Sequence, residues 1–129
     1  MTKQEIFNKV WLGLSGQNWR KSRTNLETLN TFGAMRGKNG LKCAIGHIIP
    51  DDRYRPEFEG KDIDSLSIEF GLFPLAGAHG FESEGEYHDF LQDLMSAHDS
   101  AYKENFQPKM KQSFIEVASH WGLEIPQKV

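Results

Sequence analysis

The chain has 129 residues, one cysteine, 26% charged residues and a net charge of −3. That length suits one domain able to bury a core without a disulfide or metal, and the composition is globular rather than disordered. No apolar run approaches a membrane span, and MTKQEIFNKVWLGL lacks a continuous apolar leader core, so neither a membrane anchor nor a signal peptide is expected.

The first predicted element is a helix over 2–15. Thr2 and Glu5 stand at capping-box spacing, and Ile6, Phe7, Val10, Trp11 and Leu14 form one apolar face before Gly16 stops it. Residues 16–42 lack helical periodicity and read as a long basic loop ending in a β-hairpin. The expected strands are 32–35 and 41–43, with Gly37-Lys38-Asn39-Gly40 as the turn, because Asn-Gly accepts the positive φ of tight hairpins. A loop of this length in a compact domain is either functional or contains a further element.

Residues 43–49 are small and apolar, and Pro50 ends them. Asp51 is placed to cap a turn through Tyr54, and 56–60 reads as a second turn closed by Gly60. Residues 64–70 read as a short helix carrying Leu66, Ile68 and Phe70, and 71–82 as a packed glycine-rich loop. The clearest helix is 84–104, capped by Ser83 with Glu86 and striped by Tyr87, Phe90, Leu91, Leu94, Met95 and His98. A last helix over 108–121 turns Met110, Phe114, Val117, Ala118 and Trp121 inward and closes at Gly122, leaving 124–129 as a frayed tail. The expected fold class is therefore α+β: a mainly helical single domain, 1–129, with a small β-hairpin.

Charge is unevenly placed. Residues 20–42 hold six Lys and Arg against one Glu, a net of +5, whereas 51–99 hold thirteen Asp and Glu against three Lys and Arg, a net of −10. This layout fits an internal electrostatic match, an anion-binding face, or solvated charge on opposite faces. The ligand-binding candidates are Trp19, Arg20, Arg36, Lys38 and Lys42: glycine-rich turns beside cations present N–H groups and charge to an anion, and an indole stacks on a base. GAMRGKNG is not a Walker loop, since three residues separate its first two glycines and Asn39 follows Lys38.

Cys43 carries two readings. As a nucleophile it needs a base and an orienting group, and His98 with Asp99 supplies that pair; His47 lies one turn from Cys43. As a free thiol among Leu41, Ala44, Ile45, Ile48 and Ile49 it is a small buried apolar residue. No Cys/His pair stands in a zinc array, and DDRYRPEFEGKDID does not match an EF-hand loop, so no metal or cofactor is expected.

The stretch GLKCAIGHIIPDDRY at 40–54, followed by PEFEG at 56–60, resembles the signature of small proteins of tailed bacteriophages and prophages, and the helix ending His98-Asp99 is similar again. Met95 departs from the family's glutamine, and the His47 position varies in the family. The resemblance implies a context, a phage accessory gene acting in the bacterial cytoplasm, and no mechanism. A motif rich in Gly, Ala, Ile and Pro also describes a packed corner better than a catalytic constellation. The expectation is thus a non-enzymatic binding protein, with counter-defence as its setting, that inhibits a host protein or sequesters a small anionic or nucleotide ligand. The alternative is a cysteine hydrolase or transferase using Cys43, His98 and Asp99. The overall acidity argues against nucleic acid as the partner, and the sequence is compatible with an oligomer.

Overall fold

The computed structural model describes residues 1–20, 22, 34–37, 40–99 and 107–126. Among these the chain forms four α-helices: α1 (Lys3–Gly16), α2 (Ile63–Phe70), α3 (Glu84–Asp99) and α4 (Gln107–Trp121). Short 3-10 turns at Ile45–His47, Pro56–Phe58 and Leu75–Gly77 join them.

Local chemistry sets the helix ends. Thr2 caps α1 through a full capping box, its hydroxyl accepting from Glu5 N–H while Glu5 accepts from Thr2 N–H. Asp62 caps α2 by accepting from Ser65 N–H at 2.8 Å, and Gly71, at φ 66°, ends it in the left-handed conformation that glycine adopts without strain. Ser83 accepts from Glu86 N–H at the start of α3, but the Glu86 carboxylate turns to Lys3 at 3.2 Å instead of closing a second capping box. Residues 100–104, the expected end of this helix, lie outside the described residues.

The core is one continuous cluster. Ile6, Phe7, Val10, Trp11 and Leu14 of α1 meet Phe90, Leu91, Leu94 and Met95 of α3 and Met110, Phe114 and Ala118 of α4. Val117 and Trp121 sit half-buried at its edge. On α2 the structure departs from the expected apolar face: Leu66 is buried, but Ile68 points to solvent. The end of α1 stores backbone strain. Asn18 and Trp19 both have positive φ, near 60°, a conformation costing roughly 1–2 kcal/mol for a residue with a Cβ. It is held because it folds the Trp19 indole inward, 4.7 Å from Trp11 and 5.9 Å from Phe114 between ring centres.

The α+β assignment is corrected: the described residues contain no sheet and no β-hairpin, and the domain is helical, with one isolated bridge between Thr2 and His79. Phe32, Gly33, Lys38 and Asn39 of the expected hairpin lie outside the described residues. Around them the chain does fold back, with Gly37 N–H on Leu41 C=O and Cys43 N–H on Ala34 C=O. Among the described residues no ladder grows, because Ser22 C=O accepts Ala34 N–H and side chains take several of the other backbone groups. The Glu59 carboxylate accepts the N–H groups of Met35 and Arg36, Gln17 accepts Lys42 N–H, and the Ser22 hydroxyl meets the carbonyls of Ala34 and Leu41. The expected frayed tail is likewise tied down at its first residue, where Gln4 exchanges two hydrogen bonds with the Glu124 backbone; residues 127–129 lie outside the described residues.

Candidate functional site

Of the residues singled out from the sequence, Arg36, Lys42, Cys43 and His47 lie in a corner formed by 34–37 and 40–59, against α1 and α3. Arg36 is its organiser. Its Nη1 donates to the carbonyls of Met35 and Gly46, both at 2.9 Å, and Nη2 donates to Ile49 C=O at 2.8 Å and pairs with Asp51 at 2.8 Å. Its guanidinium also lies 4.7 Å from the Tyr54 ring centre, a cation–π distance. Glu59, reached by the turn at Pro56–Phe58, accepts from Met35 N–H, Arg36 N–H and the Tyr54 hydroxyl. Burial and the Glu59 carboxylate both push the Tyr54 phenol upward, so it stays protonated and donates.

The ligand-binding candidates divide. Arg36 and Lys42 converge on Asp51, whose carboxyl these two cations, Lys42 first, hold below its ordinary range. Arg20 is exposed, and its carbonyl shares the Gln17 side-chain amide with Lys42 C=O. Trp19 lies in the core, with its ring against Trp11 and Phe114 rather than open to a base. Lys38 lies outside the described residues. An internal carboxylate thus already stands where Arg36 and Lys42 would receive an anion.

Cys43 is fully buried. Its Sγ accepts from Gly46 N–H at 3.3 Å, and desolvation pushes the thiol up to about 12, with the charges of Asp99 and Glu59 adding to the rise. His98 is fully buried too. A backbone N–H can only donate, so His98 Nε2 accepts from Ser22 at 3.1 Å, and Nδ1 carries the proton that it donates to Asp99 at 2.8 Å. The His–Asp pair has the arrangement of a catalytic base and its orienter, yet the base nitrogen is occupied by main chain. No hydrogen bond joins Cys43 to His98. The sulfur and the imidazole therefore do structural work: one fills a dry corner, and the other anchors Ser22, whose hydroxyl holds the 34–41 turn.

This corner predicts a slow thiol. Thiolate is the reactive form, so raising its pKa from 9.0 to about 12 lowers its fraction near neutrality ~1000-fold. Iodoacetamide labelling of Cys43 at pH 7.5 should be markedly slower in the folded chain than in urea, through both the lower thiolate fraction and the lack of access; equal rates would contradict the burial.

His47 makes a second prediction. Its ring bonds Gln17 Oε1 at 2.9 Å, and desolvation, followed by the charges of Lys42 and Arg36, lowers it from 6.5 to about 4. Between those values the unfolded chain binds the proton and the folded chain does not. Stability contributed by neutral His47 is therefore present above about 6.5 and lost as pH falls toward 4. Urea midpoints should fall between pH 7 and 5, and His47→Gln should flatten that decline.

Gln17, Ser22, Asp51, Tyr54 and Glu59 complete the corner; the sequence points to Asp51 and Tyr54 as the ends of a capped turn and to Glu59 within an acidic run, and gives no sign of Gln17 or Ser22. Among the described residues no group of three His, Cys, Asp or Glu side chains is placed to hold a metal, and no helix is long and apolar enough to cross a membrane. Open grooves of about 480 Å3, beside Gln4, Asn8 and Glu124, and about 310 Å3, between α3 and α4, are lined by none of the corner's residues. Compared with known proteins, the chain matches no family model, no curated protein and no solved structure.

Proposed function

We propose that this chain is a phage accessory protein that acts by binding a host protein in the bacterial cytoplasm, with counter-defence as its setting. One observation carries the binding reading: the groups best suited to catalysis are committed to the fold. The Cys43 thiol is held near 12, and the lone pair of His98 Nε2 is taken by Ser22 N–H. What remains for function is the surface. A host protein is favoured over a small anion because Arg36 and Lys42 already meet Asp51, and Arg36 spends its other donors on three carbonyls. The phage context rests on the signature at 40–60 alone.

The test is native mass spectrometry of tagged protein recovered from bacterial lysate, set against the same sample denatured. A host polypeptide retained at fixed stoichiometry, and retained equally by Cys43→Ala, is the expected result. A bare native mass, together with a Cys43 that alkylates as fast folded as unfolded, would overturn the reading in favour of cysteine chemistry.

A further inference from the structure

Residues 62–99 contain nine Asp and Glu and no Lys or Arg. Their surface, built by α2, the loop after it and α3, is therefore net acidic, and the cations that meet it, Lys3, Arg55 and Lys61, come from outside the stretch. Two of the nine carboxylates are answered by lysines from outside the stretch, Glu69 by Lys61 and Glu86 by Lys3. Asp64 and Glu84 are not. Their side chains are 79% and 60% exposed, and they flank the buried His88 ring at 3.5 and 3.7 Å, which places them side by side across the α2–α3 seam. Even a protonated His88 offsets only one of the two charges.

Asp64 also stands one turn before Ile68 on α2, so the two share a face. Ile68 is 84% exposed, against 51% for Leu12, the next large apolar side chain among the described residues. A scattered exposed aliphatic needs no explanation. Ile68 differs in its setting, because it shares its face with Asp64, a carboxylate that among the described residues meets no cation but His88.

We propose that this α2–α3 face docks a basic segment of a partner protein, whose apolar side chain covers Ile68 while its Lys or Arg side chains meet Asp64 and Glu84. The proposal deepens the binding reading above and rests on it. Charge complementarity selects the occupant. A net-acidic face repels nucleic acid, an anionic lipid surface and the same face of a second copy, and it attracts a cationic polypeptide. Exposed rim carboxylates set the rate and the choice of partner, and the apolar contact supplies the residence time.

The full chain is titrated into a fluorescein-labelled amphipathic Lys/Leu helical peptide, with anisotropy as the readout. Binding is expected to weaken about tenfold in Ile68→Ser and about tenfold in the double variant Asp64→Asn/Glu84→Gln, and to weaken with added salt. Glu116→Gln, an exposed carboxylate on α4, should leave it unchanged. All four positions are at the surface, and matching circular dichroism spectra confirm that the variants fold. Absent binding, equal binding by every variant, or equal binding of a Lys/Ser peptide would overturn the proposal. So would a doubling of mass in sedimentation velocity that Ile68→Ser abolishes, since the occupant would then be a second copy. A host protein retained from lysate equally by the wild type and by both face variants would overturn this face while leaving the binding reading standing.

Discussion

Replacing Glu59 by alanine should lower the free energy of unfolding by about 3–5 kcal/mol, one of the largest losses available to a single substitution in this chain. Glu59 is half-buried and accepts three hydrogen bonds, from Met35 N–H, Arg36 N–H and the Tyr54 hydroxyl. Removing it leaves two main-chain donors and one phenol facing a space that alanine does not fill. An orphaned donor costs about 1–3 kcal/mol where water does not reach it, and a hydrogen bond to a charged group is worth about 1.5–3 kcal/mol. The three are not additive, because water will enter as the turn loosens. Glu59→Gln separates charge from shape. The amide keeps one oxygen but turns an N–H2 toward a donor, so about half of the loss should remain. Tyr54→Phe should cost only about 1 kcal/mol, since it removes one donor and leaves Glu59 its two main-chain partners. Urea unfolding followed by circular dichroism measures all three. A Glu59→Ala midpoint indistinguishable from wild type would show that the carboxylate does not hold the 35–36 turn.

That carboxylate also explains why the fold class was only partly legible in the sequence. The helices were legible because each carries its own instructions. Thr2 and Glu5 announce α1, Tyr87 through His98 repeat at helical spacing, and Gly122 closes α4 at φ 68° with Leu123 N–H bonded back to Ala118. The hairpin was read from Asn39-Gly40 and two short apolar runs, which are necessary for a ladder and do not suffice. A ladder requires main chain to find main chain, and here Glu59 and Gln17 arrive first, from positions far along the sequence. No periodicity signals that competition, since one glutamate in an acidic run looks like any other. Ile68 departs from expectation for a different reason: 64–70 is the helix expected, but Leu66, Ile68 and Phe70 stand two apart, and helical geometry rotates the middle one outward.

The candidate site was legible in its location but not in its chemistry. Residues 40–60 form a corner that contains Cys43, and His98 and Asp99 lie at its edge, where His98 accepts from Ser22. The spacing of residue types could not tell that His98 Nε2 points at a backbone amide, because the amide belongs to Ser22, 76 residues away. Burial was not legible either: Cys43 lies in the core with Ala44 and Ile45, where desolvation disfavours the thiolate. The cations of 20–42 illustrate the reverse error of counting formal charge as available charge. Arg36 contributes its full charge to the +5, and its guanidinium is committed to three carbonyls and Asp51.

Gly46→Ala should be as damaging as the loss of Glu59, by the opposite mechanism of adding an atom. A Cβ on Gly46 would stand 2.5 Å from Met35 O and 2.9 Å from Met35 Cα, well inside van der Waals contact and against main chain rather than a side chain that could swing aside. Met35 cannot retreat freely. Its carbonyl and that of Gly46 are both held by Arg36 Nη1 at 2.9 Å, and its N–H is held by Glu59. Relief of the clash must therefore part the two strands of chain that Arg36 clasps, and it must move Gly46 N–H away from Cys43 Sγ. Overpacking alone costs about 1–3 kcal/mol, and loosening the charged hydrogen bonds adds about 1.5–3 kcal/mol, so a total near 3–5 kcal/mol is expected. Gly85→Ala supplies the control with opposite sign. Its Cβ meets only Ser83 Oγ at 3.7 Å, and it lies in the first turn of α3, where alanine should stabilise the chain by a few tenths to about 1 kcal/mol. If the corner is the packed device described here, Gly46→Ala will also expose Cys43, and its alkylation rate will rise toward that of the unfolded chain under conditions in which Gly85→Ala stays protected. A Gly46→Ala protein with wild-type stability and a protected thiol would mean that the two backbones do not approach as closely as the Arg36 clasp requires.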